Sequence, residues 1–253
     1  MSICYLSSES KRRYARHIVL PEIGEIGQEK LLAASVLVIG AGGLGSSAIA
    51  YLAAAGIGKI GIVEPDRVEL SNLQRQILFE TSDIGRSKGR AAQDRIHEIN
   101  PDCKIEVFEH RFTPENGQEL LEKFDIVVDG CDNFATRFAV SEACLLAKKT
   151  LISAAISGFS AQLSTFKPYL GKPHPCYRCL VPEMPNTQRD CKQEGIIGPL
   201  AGMLGSMQAL EVIKELLGIG KTLSGKLLVI DALSMEIRKI NLPKDAACGC
   251  GKN

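Results

Sequence analysis

Gly40-Ala41-Gly42-Gly43-Leu44-Gly45 matches the pattern G-x-G-x-x-G, with a β-branched run before it and an alanine- and leucine-rich stretch after it. Between a strand and a helix, such glycines let phosphate oxygens approach backbone N–H groups at the helix N-terminus. A tight turn without a ligand is the plainer alternative. Glu64 stands about 20 residues beyond the loop, at the end of the next apolar run, where a carboxylate can accept hydrogen bonds from ribose hydroxyls. To this point the sequence suits a dinucleotide-dependent dehydrogenase equally well.

The next segment does not suit one. Asp66, Asn72, Arg75 and Gln76 crowd into D-R-V-E-L-S-N-L-Q-R-Q, and Lys88 comes shortly after. Two cations and an amide beside bound phosphates would neutralise charge developing at phosphorus, which is phosphoryl or nucleotidyl transfer and not hydride transfer. Singly, each is an ordinary surface residue; their joint placement is the signal. Farther on, Asp129-Gly130-Cys131-Asp132-Asn133 offers carboxylates that could hold Mg²⁺ bridging the phosphates of a nucleoside triphosphate. Either Asp132 or Asn133 could instead cap the helix that begins at Phe134.

These groups need a scaffold that gathers them. Short β-branched runs at 35–40, 59–64, 104–108, 125–129 and 150–154 alternate with helical patterns at 43–55, 87–100, 114–123 and 134–148. Strands alternating with helices predict an α/β, Rossmann-like, doubly wound and mostly parallel sheet, with ligands at the carboxyl ends of its strands. The last hundred residues break the alternation. A strand at 162–167, a polar loop at 171–195, a helix at 200–217 and a hairpin at 226–230 and 235–242 predict a mixed, antiparallel extension of that sheet. Residues 1–34 read as a helical arm, 35–155 as the nucleotide-binding part and 156–253 as the remainder of a single domain. Gly198, Gly202, Gly205 and Ala209 place small residues along one side of the late helix, which predicts a close packing contact.

A chain of 253 residues, 45% hydrophobic and with a formal net charge of +1, can bury a core without disulfides. That charge argues against nucleic acid or an acidic membrane as a partner, while leaving room for a local phosphate pocket. The N-terminal segment has no apolar core of signal-peptide length, and the longest apolar stretch, 195–212, is interrupted by Pro199 and reads as a buried helix. A cytoplasmic enzyme is expected. In a reducing compartment the grouping of Cys176 with Cys179 and of Cys248 with Cys250 suggests a metal and not a disulfide framework.

Taken in order, G-A-G-G-L-G, S-N-L-Q-R-Q, Lys88, D-G-C-D-N, C-Y-R-C and D-C-K-Q-E-G-I-I-G-P resemble the bacterial ubiquitin-activating-enzyme-like superfamily. Within it the chain is similar to the molybdopterin-synthase adenylyltransferases and the thiamine-pathway sulfur-carrier adenylyltransferases. The resemblance implies ATP-dependent adenylation of the C-terminal glycine carboxylate of a small ubiquitin-like sulfur-carrier protein ending in Gly-Gly. It assigns ATP contacts to Gly40, Gly42, Gly43, Gly45, Glu64, Asp66, Ser71, Asn72, Leu73, Gln74, Arg75, Lys88, Asp132 and Asn133, with Asp132 nearest the metal. It matches Arg16 with an arginine that reaches into a neighbouring subunit's nucleotide site, which implies a homodimer. The late-helix run L-G-S-M-Q-A-L-E-V-I-K favours the molybdopterin-type enzymes, whereas R-D-C-K is closer to the thiamine type. The departures are Glu64 where the family has aspartate, His17 where it has glutamine, and C-x-C at Cys248 and Cys250 in place of C-x-x-C.

Four thiolates in two close pairs would form a closed tetrahedral structural Zn²⁺ site, although the short C-x-C bite leaves His174 as an alternative ligand. Cys191, flanked by Arg189 and Lys192, has cations beside it that favour the thiolate. The resemblance makes it the cysteine implicated in linkage to the carrier; an incidental loop thiol is the alternative. Cys4, Cys103, Cys131 and Cys144 are expected to carry no chemistry, and His17, His97 and His110 to be surface or structural residues.

Overall fold

The computed structural model describes residues 6–184 and 195–250. The N-terminal arm comprises α1 (Ser8–Arg13), α2 (Ala15–Ile18) and α3 (Gly24–Ala33). After it come β1 (Ser35–Ile39), α4 (Gly43–Ala54), β2 (Lys59–Val63), α5 (Lys88–Ile99), β3 (Lys104–Phe108), α6 (Pro114–Glu122), β4 (Ile126–Asp129) and α7 (Phe134–Leu146). The chain continues through β5 (Thr150–Ser157), β6 (Ser160–Phe166), α8 (Tyr177–Leu180), α9 (Gly198–Leu217), β7 (Lys226–Asp231) and β8 (Glu236–Asn241).

Among the described residues, eight strands form one sheet in the order β3-β2-β1-β4-β5-β6-β7-β8. The first five are parallel, and β6, β7 and β8 join antiparallel, as the sequence pattern predicts. The strand order reverses at β1, where β2 lies on one side and β4 on the other. That reversal opens a crevice at the carboxyl ends of β1 and β4, the place where doubly wound sheets bind ligands.

Both faces of β1 are covered, so its run is apolar throughout and does not alternate. Val36 and Val38 pack into the core beneath α4, α5 and α9, whereas Leu37 and Ile39 pack into the opposite core beneath α6 and α7. Local signals set the helix ends. The Ser87 hydroxyl accepts from the Arg90 N–H to start α5, and Thr113 and Asn116 cap α6 reciprocally with Pro114 in its first turn.

Three features differ from the sequence reading. β5 runs on to Ser157 and β6 starts at Ser160, because their antiparallel ladder continues to the Ser157–Ser160 pair around a turn at Gly158. The segment expected to be a loop contains the short helix α8, which packs on α7. The small-residue stripe of α9 faces α4, but not uniformly. A Cβ on Gly205 would lie 2.3 Å from the Leu44 carbonyl oxygen, and one on Gly198 would lie 2.3 Å from that of Gln74, whereas Gly202 has nothing within 4 Å.

Candidate functional site

The crevice at the β1/β4 switch is a cavity of about 260 Å³. The glycine loop forms its floor. A Cβ on Gly45 would lie only 1.9 Å from the Gly40 carbonyl oxygen, so this position requires glycine for the helix to close over the loop. Glu64, 5% exposed, holds the loop from the β2 side. Its carboxylate accepts from the Ala41 N–H at 2.8 Å and from the Asp66 N–H at 2.9 Å, joining the first turn to the segment after β2. The extra methylene relative to aspartate is used for this span.

The cations converge on the same space. Lys88 is the first residue of α5 and only 6% exposed; its ammonium lies 3.6 Å from the Asp66 carboxylate, whose side chain is 58% exposed. Arg75 donates to the Ser71 carbonyl at 3.0 Å and lies against Gly43. Asn72, Gln76, Asp132 and Asn133 also line the cavity, and Gln76 is buried there with its Oε1 lacking a hydrogen-bond donor among the described residues. Of the two candidates for the cap of α7, Asn133 takes that role, accepting from the Thr136 N–H at 2.9 Å. Asp129 faces inward instead of into the crevice: its carboxylate accepts from the Ser153 hydroxyl at 2.6 Å and from the Cys131 N–H at 3.0 Å.

Gly40, Gly42, Gly43, Glu64, Asp66, Asn72, Arg75, Lys88, Asp132 and Asn133 are thus brought together at one cavity. Gly45, Ser71, Leu73 and Gln74 do not line it. Arg16, exposed on α2, is not among the cavity residues. Cys191 and Cys4 lie outside the described residues. The structure adds Arg67, Arg111 and Arg137, which the sequence pattern does not single out. Arg111 lies beyond β3 at the same sheet edge. Arg137 lies four residues past the Asn133 cap, and helical side chains lean back toward the N-terminus, which is its legible signal.

Among the described residues no histidine lines the cavity. His97 and His110 are exposed, and His17 bonds the Gln28 side chain at 3.0 Å. Burial pushes the Cys103 thiol up to about 12, and the Cys131 and Cys144 thiols are raised by burial and then by the charge of Asp129.

Away from the crevice, the sulfurs of Cys176, Cys179, Cys248 and Cys250 all lie within 4.8 Å of one another. Cys176 is 3.5 Å from Cys248 and 3.8 Å from Cys179, and Cys179 is 3.7 Å from Cys250. These are not disulfide distances. A tetrahedron with metal–sulfur bonds of about 2.3 Å has edges of about 3.8 Å, so these three separations suit a tetrahedral thiolate site. His174 is not part of it; its Nδ1 bonds the Ser224 hydroxyl at 2.7 Å.

A Gly-rich crossover at the switch point of a doubly wound sheet, ringed by cations, defines a nucleotide-handling α/β domain. The model of the ThiF family matches residues 14–251. A sulfur carrier protein adenylyltransferase of Thermus thermophilus is 45% identical over 250 residues, covering 97% of this chain and 92% of its own. A maize adenylyltransferase and sulfurtransferase, MOCS3-1, is 44% identical over 245 residues, covering 95% of this chain and 52% of its own. A probable molybdopterin-synthase adenylyltransferase of Porphyra purpurea is 42% identical over 236 residues, covering 93% and 62%. This chain therefore spans nearly the whole Thermus protein but only about half to three-fifths of the other two. Among solved structures, E. coli MccB superimposes with a TM-score of 0.84 at 23% identity, over 98% of this chain and 76% of that one, a likeness of fold. The chain belongs to the ThiF family and is an enzyme of its adenylyltransferase class.

Proposed function

We propose that the protein uses ATP and Mg²⁺ to adenylate the C-terminal glycine carboxylate of a small ubiquitin-like sulfur-carrier protein ending in Gly-Gly. The observation that carries this reading is the cation-rich crevice above the glycine loop. A carboxylate oxygen attacks the α-phosphorus, the bond to the β-phosphate oxygen breaks, and pyrophosphate leaves with its electron pair. The nucleophile is already anionic, so no general base is needed. What the site must supply is charge neutralisation, and Lys88 and Arg75, with Arg67 and Arg111, line the crevice and would provide it. Asp132 would hold the Mg²⁺ together with phosphate oxygens, consistent with an ion that keeps few protein ligands. Bound there, Mg²⁺ would offset charge on the triphosphate.

Exposed apolar side chains on and beside β8, among them Leu233, Met235, Ile237 and Ile240, support a carrier-binding role for the C-terminal part. Exposure of Arg16 fits a homodimer in which it serves the neighbouring nucleotide site. The four-cysteine cluster is read as a structural Zn²⁺ centre. Among carriers we favour the small subunit of molybdopterin synthase, supported by the name of the Porphyra relative and by the sequence of α9; the thiamine-pathway carrier is the second reading. Among the described residues no helix is long and apolar enough to cross a membrane. A cytoplasmic location is the reading that a cluster of reduced thiols favours.

ATP–pyrophosphate exchange, run with each carrier and with carriers lacking the terminal glycine, tests the proposal. Exchange is expected with one intact carrier and not with its truncated form; exchange with neither intact carrier refutes the activity. Protein purified without chelator should contain one zinc per chain, and Cys176→Ser should abolish that stoichiometry.

A further inference from the structure

Gln76 ends the S-N-L-Q-R-Q run and lines the crevice, yet the neutralisation of phosphate charge gives it no task. Its backbone is held on both sides: the Gln76 N–H donates to the Asn72 carbonyl at 3.0 Å, and the Gln76 carbonyl accepts from the Phe79 N–H at 3.1 Å. The side chain, 3% exposed, is not held. Oε1 is sealed from water without a donor, and among the described residues Nε2 makes no hydrogen bond either. Buried polar groups are nearly always paired, so an amide unsatisfied at both atoms, beside a ligand crevice, points to a partner that arrives with the ligand.

Position and chemistry narrow that partner. Nε2 lies 3.8 Å from where a Cβ on Gly42 would stand, so the amide lies against the glycine loop that follows β1. Strand order puts β2 on one side of β1, and β4 and β5 on the other. Glu64, Asp66 and Lys88 line the crevice on the β2 side, whereas Ile156 of β5 and Ile196, which bridges to Gly158 just beyond β5, give it an apolar lining on the other. The crevice is narrow above the loop, since a Cβ on Gly43 would lie 3.1 Å from that of Ala201. Phosphate oxygens accept but do not donate, so a triphosphate would leave Oε1 unpaired. An extended peptide does both: the N–H and C=O of one residue point the same way, as in the hydrogen-bonded pairs of an antiparallel ladder, and a primary amide offers the matching acceptor and donor. The terminal torsion of glutamine is soft, so an amide that nothing bonds can turn Oε1 outward to meet them.

We infer that Gln76 recognises the polypeptide tail of the carrier: its amide pairs with the N–H and C=O of the penultimate glycine, laid along the apolar side of the crevice, and so aims the terminal carboxylate at the phosphates on the charged side. This rests on the functional reading above and deepens it. Adjacent residues of one motif then serve two substrates, Arg75 the anionic nucleotide and Gln76 a neutral backbone that carries no side chain.

Gln76→Met keeps the length of the side chain and removes both polar atoms. Because it deletes an unpaired buried amide, the variant is expected to melt at or above the wild-type temperature. ATP affinity, measured by calorimetry without carrier, should stay within about twofold of wild type. In pyrophosphate exchange kcat/KM for the carrier should fall by about 10- to 100-fold, the scale of two neutral hydrogen bonds. The carrier is whichever of the two named above supports exchange, and a semisynthetic form of it, with an ester oxygen in place of the penultimate glycine N–H, supplies the second arm. With wild-type enzyme that form should lose about five- to tenfold, and with Gln76→Met it should lose nothing further. Losses that multiply in the combination overturn the pairing, as does wild-type kcat/KM in Gln76→Met. Weakened ATP binding by the variant overturns it by placing the amide on the nucleotide, and misfolding or a melting temperature lower by about 5 °C or more does so by showing that the amide holds the fold. No exchange by the wild-type enzyme with either carrier sinks the functional reading and this inference with it; wild-type exchange that is indifferent to Gln76 sinks the inference alone.

Discussion

Lys88→Met separates transition-state electrostatics from fold. Methionine keeps the buried stem and the helix propensity of the first position of α5 while deleting the ammonium. The stability cost is small by the structure's own measure. The only ion pair of Lys88 among the described residues is with Asp66 at 3.6 Å, and that carboxylate is more than half exposed, so the pair is worth about 1 kcal/mol or less. For a chain of this size that moves the melting temperature by about 2–4 °C. The catalytic cost is larger. A unit charge about 4 Å from the developing phosphoryl charge, at an effective dielectric constant of about 20, contributes about 4 kcal/mol. The crevice holds other cations that share the load, so a loss of about 10²- to 10³-fold in kcat/KM for carrier-dependent pyrophosphate exchange is expected. Steady-state exchange measured beside a thermal melt checks both numbers. Exchange within tenfold of wild type in a folded variant would refute the role given to Lys88. A melting temperature lower by about 10 °C or more, well beyond the shift expected for one exposed pair, would instead show that its charge supports the fold.

Other predictions concern the loop and the buried thiols. Gly45→Ala should yield largely insoluble protein, because the new Cβ would stand 1.9 Å from a backbone oxygen that cannot move without unseating β1; soluble protein with a wild-type melt contradicts the close approach. Glu64→Gln should lose about 1–3 kcal/mol in urea denaturation, since its amide N–H would face a buried backbone donor at Ala41 or Asp66. An unchanged midpoint would mean that the carboxylate does not tie the loop to β2. At a pH of about 8, iodoacetamide should spare Cys103, Cys131 and Cys144 in the native protein: burial raises all three thiols, that of Cys103 to about 12, so they stay protonated at that pH. Peptide mass spectrometry showing their rapid alkylation would count against a closed core.

Much of this molecule is legible in the order of its residues. The alternation of β-branched runs with helical patterns yields the parallel half of the sheet, because strands covered on both faces must be apolar at every position and cannot be mistaken for amphipathic ones. The glycine loop, the acid after β2 and Arg75 of S-N-L-Q-R-Q are near one another in sequence as well as in space, so their association comes from one crossover. The two cysteine pairs suggest a metal site by spacing, and the fold brings their four sulfurs within 4.8 Å of one another. Other features depend on approaches between distant segments, which no local pattern encodes. Asp129 turns inward because Ser153 of the neighbouring strand offers it a donor. Arg67, Arg111 and Arg137 join the crevice because the carboxyl ends of separate parallel strands meet there. Sequence determines periodicity, caps and local clusters, since those act over a few residues; tertiary packing alone decides which buried polar group finds which partner across the sheet, because that depends on shape and desolvation summed over the whole fold.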